Sequence, residues 1–304
     1  MRTPREWILL GRPAGEWAYL AVMIVIGTNA VRNATTDDFH GVGQALVQGS
    51  NMVMGIAAIG IVAATLAGRR IGIRLVWLFV LTLTVGAPMA TWFYGDPTIS
   101  EAIAALITVT PISVGVAWYG SRRLHAAITM RLWPAMVAEH AAAADEFVAA
   151  IRGMRMDEWT TRPTPEAWSP AEITDHLART YSQYAGESRG KDALRIRLGP
   201  VRRTLANLFM KPRLLAGGAF PKAKAPSTLR PSGGPPTPAD GVALFQATGD
   251  SCLRDLEMAV QRRPYRRLVH PYFGALPMHE AVRFASHHIR HHCRQLPTAP
   301  SHAE

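Results

Sequence analysis

The feature that most constrains this chain is where its charge is missing. Gly41 to Gly68, Leu75 to Tyr94 and Ala102 to Gly120 hold no charged residue, and Trp17 to Val31 is a shorter run of the same kind. A helix needs about 20 apolar residues to cross a bilayer core. Three runs are long enough; the first needs Glu16 and Arg32 to reach the interfaces. Trp17, Trp92, Tyr94, Trp118 and Tyr119 lie at the ends of these runs, as interfacial aromatics do. Most of the charge falls after residue 121. The expectation is an all-α chain: a membrane domain over 1–125, with helices at about 15–33, 43–67, 72–94 and 101–120, then a helical domain over 126–304.

The charges that flank the runs alternate in sign. Arg2, Arg5 and Arg12 precede the first, and Asp37 and Asp38 follow it. Arg69, Arg70 and Arg74 come next, then Asp96 and Glu101, then Arg122, Arg123 and Arg131. The positive-inside rule turns this into a multi-pass protein with four spans and both termini cytoplasmic. The alternative for the first run is a cleaved signal peptide ending at Thr28 and Ala30, but a long leader with two acids argues against it. Arginine far outnumbers lysine and alanine is abundant, a hint of a GC-rich bacterial genome and hence of the bacterial cytoplasmic (inner) membrane. Cys252 and Cys293 are the only cysteines, which fits a reducing compartment.

The formal charge of +11 is concentrated. Segment 189–230 carries eleven Lys/Arg residues against one acid, Asp192. It lies in a long connection over 188–236, where Leu194, Ile196, Leu198, Val201, Leu205, Leu208, Phe209, Leu214 and Leu215 interleave with the charge. Two readings are open. The stretch lies on an anionic leaflet, with Arg195, Arg197, Arg202 and Arg203 touching membrane lipids, or it packs its apolar residues on the helical domain. Nucleic acid is not an expected partner, because aromatics are few and no recognition motif accompanies the charge.

After residue 120 four helices are predicted. The first runs from about Leu132 to Met154, with Val137, His140, Ala144, Phe147, Val148 and Ile151 inward. The second starts at a capping box, Ser169-Pro170-Ala171-Glu172, and carries Ile173, His176, Leu177, Tyr181 and Tyr184. The third starts at Thr237-Pro238-Ala239-Asp240. A loop with His270-Pro271-Tyr272-Phe273-Gly274 leads to the fourth, Met278 to Gln295.

That last helix holds His287, His288, His291 and His292, two pairs at i,i+4. This spacing offers two imidazoles to one metal ion from one helix face. The helical wheel separates the pairs. His288 and His292 share an arc with Ala281, Phe284, Ala285, Ile289 and Leu296; His287 and His291 fall with Glu280, Arg283 and Arg294. His288 and His292 are therefore the expected buried pair, and His287 and His291 the expected solvated one.

Three landmarks stand in order: Trp168-Ser169-Pro170-Ala171-Glu172-Ile173-Thr174-Asp175-His176-Leu177, then His270-Pro271-Tyr272-Phe273-Gly274, then His288-Ile289-Arg290-His291-His292-Cys293-Arg294-Gln295-Leu296. Over about residues 131–297 the chain resembles the DinB-like superfamily, which includes thiol-dependent transferases. The resemblance implies a four-helix bundle with a long connection between its second and third helices. It also implies metal ligands at His176, His288 and His292. One divalent metal is expected, zinc or nickel first, with iron or manganese as alternatives. In relatives the metal binds the thiol of a low-molecular-weight cofactor such as mycothiol or bacillithiol, and lowers its pKa for attack on an electrophile. A homodimer is plausible by the same analogy. His270 is either an orienting neighbour of a ligand histidine or a turn residue.

No Ser/His/Asp arrangement, phosphate-binding glycine loop or carboxylate base stands out. Two functions follow: a membrane-anchored, metal-dependent thiol S-transferase acting on a small-molecule electrophile, or a non-enzymatic metal-responsive sensor or interaction module coupled to the membrane domain.

Overall fold

A computed structural model describes residues 8–9, 12–36, 41–94, 98–191, 193–194, 198–221 and 225–297. The chain divides into two units, Met1–Arg131 and Leu132–Glu304, slightly beyond the sequence boundary at 125/126.

The first unit opens with a minimal antiparallel pair, β1 (Ile8–Leu9) and β2 (Arg12–Pro13). Three helices follow: α1 (Ala14–Thr36), α2 (Val42–Leu66) and α3 (Ile71–Tyr94). The N-terminal part of α4 (Ile99–Arg152) completes the unit. Tyr19, Leu20 and Met23 of α1, Ala57, Ala58 and Ile61 of α2, and Val76 and Phe79 of α3 share one core. Small residues let α1 and α2 approach closely. A Cβ on Gly27 would meet the Gly55 carbonyl oxygen at 3.1 Å, and one on Gly55 would meet the Gly27 carbonyl oxygen at 2.8 Å. The outer surface is apolar too: Val25, Trp77, Leu81, Ile107 and Trp118 are exposed. Surfaces of that kind are normally covered, by lipid or by another protein.

Three helices are long and apolar enough to cross a membrane: Val42–Leu66, the Ile71–Ala90 part of α3, and α4. Four spans were expected. The helix at the first position forms, but its apolar run Trp17–Val31 is shorter than a bilayer core and ends at Arg32 and Asn33. A second difference concerns α4. The sequence suggested one helix ending near Gly120 and another starting near Leu132. The structure has one continuous helix through Arg122, Arg123 and Arg131. A basic cluster ends an apolar run without breaking the helix backbone.

In the second unit the C-terminal part of α4 is followed by α5 (Met156–Thr160), α6 (Pro170–Ser188), α9 (Pro238–Arg262) and α10 (Met278–Cys293). The connection between α6 and α9 is structured. It holds α7 (Pro200–Leu205), a π turn (Ala206–Met210), α8 (Lys211–Leu215) and a 3-10 turn (Ser227–Leu229). One core takes Phe147 and Ile151 from α4, Ile173 and Leu177 from α6, Phe245 and Leu256 from α9, and Phe284 and Ile289 from α10. The predicted helix starts hold. At α6 the Ser169 hydroxyl accepts from Glu172 N at 3.3 Å, and the Glu172 carboxylate accepts from Ser169 N at 2.9 Å. At α9 the Thr237 hydroxyl accepts from Asp240 N.

The loop before α10 is a short hairpin, β3 (Arg267–His270) with β4 (Gly274–Pro277). Leu268 pairs with Leu276 and both enter the core. Gly274, at φ 74°, makes the turn possible. Four-residue strands are too short to announce themselves by alternation, so the segment read as a loop.

Candidate metal centre

Two helices build the site. α6 is fixed at its start by the capping box, which places His176 one and a half turns in. α10 presents His288 and His292 one turn apart. Their ring nitrogens converge: His288 Nε2 lies 3.4 Å from His176 Nε2 and 3.1 Å from His292 Nε2, and the three donor atoms all fall within 4.8 Å of one another. His176 and His292 are buried and His288 is half-buried.

The opposite ring edges fix the tautomers of two of the three. His176 Nδ1 donates to the Leu229 carbonyl oxygen at 2.7 Å, and His292 Nδ1 donates to Gln295 Oε1 at 2.7 Å. A carbonyl oxygen only accepts, so both protons sit on Nδ1. Both Nε2 atoms therefore carry lone pairs, and both face His288 Nε2, which can donate to one of them at most. At least one lone pair is left without a donor, and a cation at the centre, with His288 protonated on Nδ1 instead, would answer all three nitrogens. The spacing agrees. Tetrahedral nitrogen ligands at zinc distances of 2.0–2.1 Å stand about 3.3 Å apart.

Electrostatics keep the rings neutral, as metal ligation requires. Burial lowers the pKa of His176. It lowers that of His292 to about 3, helped by His176 and His291. Burial, with His292 and His176 close by, holds His288 well below the ordinary range. Aromatic rings wall the site. Trp168 lies 4.9 Å from the His176 ring and stacks at 6.2 Å on His292, while Phe220 lies 5.7 Å from His288.

The structure brings together the three histidines that the resemblance singled out. His270 is not among the converging nitrogens, although it is near enough to His288 to help lower its pKa. Its Nδ1 accepts from Tyr272 N and Phe273 N, and its ring stacks on Phe273 and meets the edge of Phe284. That is the geometry of a turn residue inside the hairpin. Burial lowers its pKa to about 3. Arg202 and Arg203 are exposed on α7, and Arg195 and Arg197 lie outside the described residues. His287 and His291 are not solvated as expected. The α6–α9 connection covers them: Phe220 packs on His291 at 5.0 Å, and Gly217 lies against His287. His287 also meets Glu139 at 3.5 Å. Asp175, next to His176 in sequence, turns away to Arg179 and Ser232 N.

Sequence reading missed Leu229, Gln295, Trp168 and Phe220 as parts of the site. Gln295 was within reach, because a residue three positions after His292 lies beside it on the helix. Leu229 acts through its backbone, and no residue type announces that.

Burial also perturbs His140, whose Nε2 lies 3.0 Å from the Tyr181 hydroxyl and whose pKa falls to about 4. Its folded pKa lies below the ordinary value of about 6.5, so below pH 6.5 the unfolded chain binds the extra proton. Stability from this residue is complete above pH 6.5 and is lost as the pH falls toward 4, amounting to roughly 3 kcal/mol. Thermal unfolding followed by circular dichroism should show a lower midpoint at pH 4.5 than at pH 7, and His140→Asn should flatten part of that fall. His270 contributes with the same sign.

Three inward imidazoles from two helices, with ordered Nδ1 protons and an aromatic wall, define a helical protein with a three-histidine site suited to a divalent metal. A family model described as the DinB superfamily matches residues 139–296, just over half of the 304-residue chain, and the chain belongs to that superfamily. No family model matches the N-terminal part. No curated protein and no solved structure matches the chain.

Proposed function

We propose that this protein is a membrane-anchored, metal-dependent thiol S-transferase of the bacterial cytoplasmic membrane, with its DinB domain a four-helix bundle on the cytoplasmic side. In this reading α1 acts as a fourth, marginal span, and both termini are cytoplasmic. The observation that carries the reading is the convergence of His176, His288 and His292 through their Nε2 atoms. Three protein ligands leave a coordination position for an exogenous group, the pattern of catalytic rather than structural sites. Zinc or nickel suits the all-imidazole donor set, with iron or manganese as alternatives. Such an ion lowers the pKa of a coordinated thiol, which yields a thiolate at neutral pH.

The chain's own residues supply the setting. The Leu229 carbonyl and the Gln295 side chain hold the Nδ1 protons and aim the lone pairs. Trp168 and Phe220 limit water around the ligands. The protein's own thiols are poor nucleophiles: burial pushes Cys293 up to about 11 and Cys252 up to about 12. An external low-molecular-weight thiol therefore has no internal competitor.

The test uses the full chain in lipid nanodiscs, loaded with zinc or nickel, with mycothiol or bacillithiol and the electrophile monobromobimane. Adduct formation above the uncatalysed rate should need metal and thiol together, and should vanish in His176→Ala and His292→Ala. Turnover that persists in both variants would overturn the proposal. Stoichiometric metal without turnover would leave the metal-responsive sensor.

A further inference from the structure

The segment Pro200–Leu215 has two faces. One is buried: Leu214 and Leu215 enter the domain core. The other is open. Val201, Leu205, Leu208 and Phe209 are 70%, 49%, 62% and 70% exposed. Their spacing, i, i+4, i+7 and i+8, places them on one helical face. Four large apolar side chains side by side in water signal a binding surface.

The charge around that face selects the partner. Arg202 and Arg203 on α7 and Arg213 on α8 are exposed. Lys211 is tied to Glu280 at 3.2 Å. From Ala193 to Ala239 the sequence contains no acidic residue. An occupant must offer apolar depth and negative charge together, over a strip a few turns long. An anionic bilayer interface offers both, and a basic amphipathic helix binds it by these two forces. The same chain carries three helices long and apolar enough to cross a membrane. Tethering makes the second contact intramolecular, so even weak interfacial affinity is enough for occupancy.

We infer that Pro200–Leu215 lies in the interface of an anionic bilayer, with Val201, Leu205, Leu208 and Phe209 among the acyl chains and Arg202 and Arg213 at the lipid phosphates. This surface uses none of the three metal-site histidines, and its test does not depend on turnover.

A spin label at Leu208→Cys, in a Cys293→Ser background, reports depth in the full chain. The nanodiscs contain either phosphatidylglycerol with phosphatidylcholine or phosphatidylcholine alone. The readout is the ratio of collisions with oxygen to collisions with a water-soluble nickel chelate. The ratio should rise several-fold in anionic discs over neutral ones, while a label at the exposed position Ala247→Cys stays at the water value. Replacing Arg202 and Arg213 together by Glu should return the Leu208 label to that value. If the double variant does not fold, the comparison of lipids still decides. A water value at Leu208 in anionic discs would overturn the inference. So would label–label broadening that is the same in both lipids, which would assign the face to a second copy of the chain.

Discussion

Replacing His288 with alanine should empty the metal centre, while replacing His287, its neighbour in sequence, should leave it full. His288 Nε2 is the atom that both other ligands face, at 3.4 and 3.1 Å. His287 points to Glu139 instead. Mass spectrometry of the zinc-loaded, dialysed full chain should find about one ion per chain in the native protein and in His287→Ala, and far less in His288→Ala. Gln295→Ala should fall between the two. It keeps all three ligands but loses the acceptor that fixes the His292 tautomer, and lost partners of this kind cost roughly 10–100-fold in metal affinity. Full occupancy in His288→Ala would transfer the site to another register on α10.

The second large effect should come from a residue outside the site. Trp159 on α5 is fully buried, packs its ring on the backbone of Gly241 in α9, and donates from Nε1 to the Pro235 carbonyl at 2.9 Å. Trp159→Ala would open a cavity and strand that carbonyl, at a cost of about 3–5 kcal/mol. Hydrogen exchange of the full chain should show protection of the slowest amides in α6 and α9 falling by roughly 100- to 5000-fold. Amides in α2 serve as the internal reference. An unchanged pattern in α9 would mean that Trp159 is not a keystone of this core.

The site was legible in the sequence to different depths. The wheel position of His288 and His292 separated them from His287 and His291 by direction, since that face turns to His176. Burial does not separate the pairs: His287, His288 and His291 are all half-buried. His176 needed the superfamily resemblance, since a lone histidine at the edge of an apolar arc carries no signal of its partner 112 residues away. The capping box at Ser169 and the N-cap at Thr237 read correctly because they are local hydrogen-bond patterns. The β3–β4 hairpin and the continuity of α4 were not legible. Leu268 pairs with Leu276 across a turn that Pro271 and Gly274 do mark, but four-residue strands are too short to show alternation. Arg122 and Arg123 gave a strong charge signal that has no bearing on backbone hydrogen bonding. The connection was the largest loss. Its composition left two readings, a stretch on an anionic leaflet or one packed on the helical domain, and the contacts that order it come from a backbone carbonyl at Leu229 and a ring at Phe220.

The bond from His176 to Leu229 has one more consequence. A candidate metal ligand and a segment outside the helices holding the three histidines share a proton, so their equilibria are linked. An ion that steadies His176 must favour docking of the segment around Leu229 by the same factor that docking favours the ion. Occupancy at the histidines and docking at Leu229 are therefore two ends of one thermodynamic cycle, and a change imposed at either end will be felt, in equal measure, at the other.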